Sequence, residues 1–115
     1  MKYLLLLFPS LCFAGDWSKE DTLWQIGYTA LLTADCVQTR WAASHPKAFE
    51  EGNPVMGLHP SKGQIDNACL AMAFANFGIS YVLPIEYRRF WQFSSIVIEG
   101  TVVFHNASIG IKMEF

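Results

Sequence analysis

The sequence predicts an all-α fold: about three helices in an up-down-up bundle, at least one membrane-embedded, closed by a short extended C-terminal tail. Three observations carry this expectation. Ser18 to Asp21 and Ser61 to Gln64 read as capping boxes, each opening a long run without proline. Prolines punctuate the spaces between runs, at Pro46, Pro54, Pro60 and Pro84. The chain is 52% hydrophobic and only 16% charged, against about a quarter charged in ordinary soluble domains.

A length of 115 residues allows one domain. The net charge of -2 leaves no electrostatic footprint for nucleic acid. No Gly-rich phosphate loop, internal repeat or cofactor-binding motif is present.

Residues 1–14 read as a secretory signal. Lys2 is a short basic region, Tyr3 to Phe8 an apolar core, and Cys12-Phe13-Ala14 a small-residue cleavage site. Lipidation at Cys12 is disfavoured by bulky Leu11 just before it. Cleavage after Ala14 leaves residues 15–115 as a single helical domain outside the inner membrane or crossing it. Two cysteines then remain, Cys36 and Cys69, and an oxidising compartment permits them one disulfide. In an antiparallel helix pair they stand about 13 and 10 Å from the shared end. A bond also requires both thiols to face one seam.

The first helix is expected over about Ser18 to Ser44. Ser18 caps, Asp21 stands in the reciprocal position, and Pro46 stops the run. Tyr28, Leu31, Asp35, Gln38, Thr39 and Ala42 share one face. That face is either solvated or turned into a bundle as a buried polar site. The connector from Pro46 to Ser61 is rich in turn signals, Glu51-Gly52-Asn53-Pro54 among them. Glu51, Asn53 and His59 are its candidate functional side chains. His45, Glu51 and His59 lack any zinc-ligand spacing, so no metal is expected.

The second helix is expected over about Lys62 to Leu83, ended by Pro84. Ile65 to Leu83 carries one charge, Asp66, and has the length and composition expected of a spanning segment. Ala68, Ala71, Ala75 and Gly78 give it a small-residue face suited to close helix approach. The alternative is a core helix of a water-soluble bundle. The third helix follows from Ile85. Arg88 and Arg89 among Tyr87, Phe90, Trp91 and Phe93 suit a membrane–water interface. Arg88, Gln92, Ser95, Glu99, Val102 and Asn106 fall on one face. From Ile109 to Phe115 apolar and polar residues alternate, which reads as a short strand.

Counting levels along an up-down-up bundle at about 1.5 Å per residue puts Asp35 and Glu99 at one height. Asp35, Gln38, Thr39 and Glu99 are therefore expected to form one polar cluster between the first and third helices.

Asp35 with Gln38, Thr39 and Arg40, the Glu51-Gly52-Asn53-Pro54 turn, His59-Pro60-Ser61, Leu83-Pro84, Arg88, Trp91-Gln92 and Glu99 occur in a fixed order. With the signal and the Asn106 to Phe115 ending, this order resembles a family of small, uncharacterised envelope proteins of tailed phages and proteobacteria. The resemblance implies a phage or prophage setting, in which envelope proteins serve lysis or exclusion of superinfecting phages. It brings no catalytic residues.

Three function classes follow. One is a non-enzymatic inner-membrane or periplasmic protein of a Gram-negative envelope, acting through a protein partner. The second is a soluble periplasmic helical binding protein. The third is an ion-binding protein or enzyme built on Asp35, Glu51 and Glu99, since paired carboxylates in unlike environments divide acid and base roles. The sequence offers no nucleophile with an adjacent base.

Overall fold

The computed structural model describes residues 17–45 and 60–113. The predicted signal, the connector candidates Glu51, Asn53 and His59, and the last two residues lie outside them. Three helices make up the described fold: α1 (Lys19–Ala43), α2 (Lys62–Val82) and α3 (Ile85–Ser108).

Each helix begins as its sequence dictates. The Ser18 hydroxyl accepts from the Asp21 amide at 3.1 Å, and the Asp21 carboxylate accepts from the Ser18 amide at 3.0 Å. Ser61 and Gln64 repeat this reciprocal cap on α2. Leu83 takes an extended backbone before Pro84, and α3 starts at once from Pro84, whose missing N–H costs a helix start nothing.

The helices run up, down and up. α1 packs along α3 most extensively and along α2 less, while α2 and α3 touch little. α1 and α3 are therefore parallel and in register: Asp21 meets Arg88 at one end, and Gln38 meets Asn106 at the other. α2 runs back beside α1, with Gln25 opposite Asn76 and Arg40 opposite Asp66. A disulfide joins Cys36 to Cys69, with Cα atoms 6.4 Å apart.

Burial runs against the usual pattern. Among the described residues the buried apolar side chains are Tyr28, Leu32, Val37 and Ile65, while Asp21, Gln25, Gln38, Asn76, Ser80, Arg88, Gln92 and Glu99 are buried too. Large apolar side chains lie outside, among them Leu23, Phe74, Phe90 and Phe104, the last 79% exposed.

Four expectations need correction. No described helix is long and apolar enough to cross a membrane. α2 falls short because Gln64, Asp66, Asn67, Asn76 and Ser80 interrupt it and its alanines add little hydropathy. Its small-residue face is not the packing face either: Ala71 and Ala75 are exposed, and a Cβ on Gly78 would meet no atom within 4 Å. The side chains turned inward are Ile65, Asn76 and Ser80.

Arg88, assigned by sequence to an interface, is instead an interior residue. Burial is tolerable there because its charge meets a buried carboxylate. The tail forms no strand among the described residues. After Ser108 the chain turns through Gly110 at φ 93°, with Gly110 donating to the Ala107 carbonyl and Ile111 to the Asn106 carbonyl. This pair of bonds around a left-handed glycine ends the helix and satisfies its last carbonyls. A strand there would need a partner for its own backbone groups, and the helix end takes them first.

A buried polar seam as the candidate functional site

Steps of three and four residues put Asp21, Gln25, Tyr28, Asp35 and Gln38 on one stripe of α1. The same steps align Arg88, Gln92, Ser95, Glu99 and Asn106 on α3. Since the two helices are parallel and in register, the stripes meet along their length.

At the end nearest the α2–α3 turn, Arg88 Nη1 donates to Asp21 Oδ2 at 3.0 Å. Arg88 Nε reaches the Ser80 carbonyl at 2.7 Å and Nη2 the Leu83 carbonyl at 3.1 Å. One guanidinium thus binds α1 and closes the carbonyl end of α2, where the helix dipole favours a cation. Arg89 donates to the other Asp21 oxygen at 3.0 Å and to Glu20. The two guanidinium groups also lie over the rings of Trp17 and Trp24, at 5.2 and 5.0 Å. Gln92 donates to the Asp21 carbonyl at 3.2 Å.

Midway, Gln25 donates to Asn76 at 3.1 Å, and Asn76 donates to the Ser95 hydroxyl at 2.9 Å. This relay passes through all three helices. At the far end, Gln38 donates to the Val103 carbonyl at 3.1 Å. Asn106 donates to Gln38 at 3.1 Å and to Asp35 at 3.3 Å. The Thr39 hydroxyl donates to the Asp35 carbonyl at 2.8 Å.

Between these levels the Asp35 and Glu99 carboxyls are near neighbours, with Tyr28 beside both. Glu99 is 6% exposed, and its Oε2 is buried without a hydrogen-bond partner; Gln25 Oε1 and Gln92 Oε1 are in the same position.

The structure thus brings together Asp35, Gln38, Thr39 and Glu99, and pairs Cys36 with Cys69. Sequence reasoning left out Asp21, Gln25 and Asn76. Asp21 and Gln25 lie seven and three residues before Tyr28, on the stripe already recognised, so the spacing pointed to both. The capping role of Asp21 drew attention away from it. Asn76 and Ser80 are one turn apart, which is a signal for a shared face. Among the described residues no group of three or more side chains could hold a metal ion.

The seam yields a direct prediction. Glu99→Gln places an amide donor beside Asp35 and is expected to leave stability nearly unchanged. Asp35→Leu and Glu99→Leu strand buried partners and are expected to cost about 1–3 kcal/mol each. Chemical denaturation of the purified variants under one set of conditions measures the difference.

Comparison with known protein families, curated proteins and solved structures returns no match to the chain.

Proposed function

We propose that this chain is a small cell-envelope protein that lies against the membrane through its exposed apolar side chains and acts through a protein partner rather than by catalysis. The observation that carries the reading is the inverted polarity of the bundle. Its interior holds ion pairs and amide relays, and its exterior holds Leu23, Phe74, Phe90 and Phe104. A large exposed apolar surface marks contact with membrane or protein.

The Cys36–Cys69 bond supports export, since disulfides persist in oxidising compartments. The signal-like residues 1–14 support it independently. The inner membrane of a Gram-negative envelope fits both. The sequence resemblance adds the role: lysis or superinfection exclusion in a phage setting, exerted on an envelope protein.

Fractionation of expressing cells with an alkaline carbonate wash tests the reading. The protein is expected in the membrane pellet before the wash and in the supernatant after it. Recovery in the soluble fraction before the wash overturns membrane contact. Expression from an inducible promoter, followed by assays of lysis and of plaque formation by a challenge phage, tests the role. An unchanged outcome in both removes it.

A further inference from the structure

We propose that the groove between α1 and the Phe77 end of α2 is a binding site for a small aromatic molecule carrying one N–H or O–H donor, of the indole or phenol class.

The groove has a volume of about 430 Å³, within the range of small-ligand sites. A dry cavity of about 150 Å³ already holds one benzene ring, so a two-ring molecule has room. Eight residues line the groove, far fewer than the roughly 20–30 a side of a stable protein interface. That size selects a free molecule over a protein partner. Trp17 and Phe77 close one end, with ring centroids 5.5 Å apart, and Ile26 adds an apolar wall. Trp17 is held in place by two contacts: its Nε1 donates to the Thr22 hydroxyl at 2.8 Å, and the Arg88 guanidinium lies over its ring. A wall fixed in advance costs a ligand little to order.

What this groove offers a ligand is acceptors. Thr29 Oγ1 donates its proton to the Gln25 carbonyl and Thr33 Oγ1 to the Thr29 carbonyl, each at 2.8 Å. Thr22 gives its proton to the Ser18 carbonyl. A hydroxyl has one proton and two lone pairs, so these oxygens can only accept more. Gln25 completes the set. It is 8% exposed, and its Oε1 has no hydrogen-bond partner. The amide relay fixes which Gln25 atom is left over. Ser95 donates its proton to the Trp91 carbonyl at 2.8 Å, so its oxygen must accept from Asn76 Nδ2. Asn76 Oδ1 then faces Gln25 and takes its Nε2, which leaves Oε1.

A buried acceptor without a donor is costly, and a ligand that supplies the donor removes that cost. The ligand's ring lies against Trp17 and Phe77, edge to face, while its N–H or O–H turns to Thr29 and Gln25. Gln25 Oε1 is closed to solvent, so the exposed Ile26 side chain, next to it in sequence, turns aside to admit the donor. A charged ammonium is a poor fit, because no carboxylate lines the groove among the described residues. The proposal does not depend on how the chain meets the membrane.

Titration of the isotope-labelled full chain with indole, followed by NMR, tests the site. Saturable shifts are expected at the Gln25 side-chain amide, the Trp17 indole N–H and the Ile26 methyls. The N-methyl derivative of indole keeps both rings but lacks the donor, and is expected to bind about three- to tenfold more weakly. Gln25→Met is expected to remove the preference between the two probes. Thr29→Val, which keeps the shape of the wall, is expected to narrow it and gives the comparison if Gln25→Met does not fold. Absence of saturable shifts at the groove overturns the proposal. So does equal affinity for the two probes in the native chain, a measurement that needs no variant.

Discussion

Replacing Arg88 with methionine is expected to cost about 3–5 kcal/mol, the range seen when one member of a buried ion pair is removed. Arg88 is 2% exposed and Asp21 1%, so neither charge has water to fall back on. The loss extends beyond the pair. Arg88 also donates to the Ser80 and Leu83 carbonyls, which its removal leaves without that donor at a helix end. Arg89 remains on the other Asp21 oxygen and keeps the carboxylate from being wholly unpaired. That contact holds the effect within the stated range.

Arg88→Lys is expected to recover only part, since an ammonium cannot serve Asp21 and two carbonyls in the planar fork that Arg88 uses. The double replacement Arg88→Met with Asp21→Leu is expected to cost less than Arg88→Met alone, because no uncompensated charge is left inside. Denaturation midpoints of the three variants under one set of conditions decide the matter. A double variant weaker than the single one contradicts this account.

Breaking the disulfide is expected to have the second-largest effect. The bond closes 33 residues of sequence separation, and the chain-entropy relation assigns a loop of that size about 3–4 kcal/mol. Reduction, or Cys36→Ala with Cys69→Ala, removes that constraint from the unfolded chain. The loss is expected to show first at the connector end, where α1 and α2 otherwise share the Arg40–Asp66 pair on the surface. Exposed pairs of that kind contribute at most about 1 kcal/mol. Hydrogen exchange with and without reductant locates the change: amides near Cys36 and Cys69 are expected to lose protection while those near Asp21 and Arg88 keep theirs. Unaltered exchange and unaltered gel mobility under reductant contradict the prediction.

Local signals were legible in the sequence because their causes are local. Ser18 with Asp21 and Ser61 with Gln64 are three residues apart, and each pair satisfies itself at a helix start. Pro84 separates α2 from α3 by removing a donor at one point. The stripe from Arg88 to Asn106 followed from spacing alone, and Asp35 met Glu99 by counting levels.

Partnerships were harder to read. Asp21 and Arg88 are 67 residues apart, and nothing near Asp21 distinguishes a capping carboxylate from one that also anchors an interior arginine. The alanine face of α2 misled for a related reason. Small residues permit close approach but do not require it, so the inward face was set instead by Asn76 and Ser80, which needed partners. The alternating tail was overruled by Gly110, whose left-handed backbone completes a helix end.

The exposed apolar side chains also show where a partner can and cannot act. Phe74, Phe90 and Phe104 stand outside the bundle, so whatever covers them leaves the register of Asp21 on Arg88 untouched, because that register is set from within.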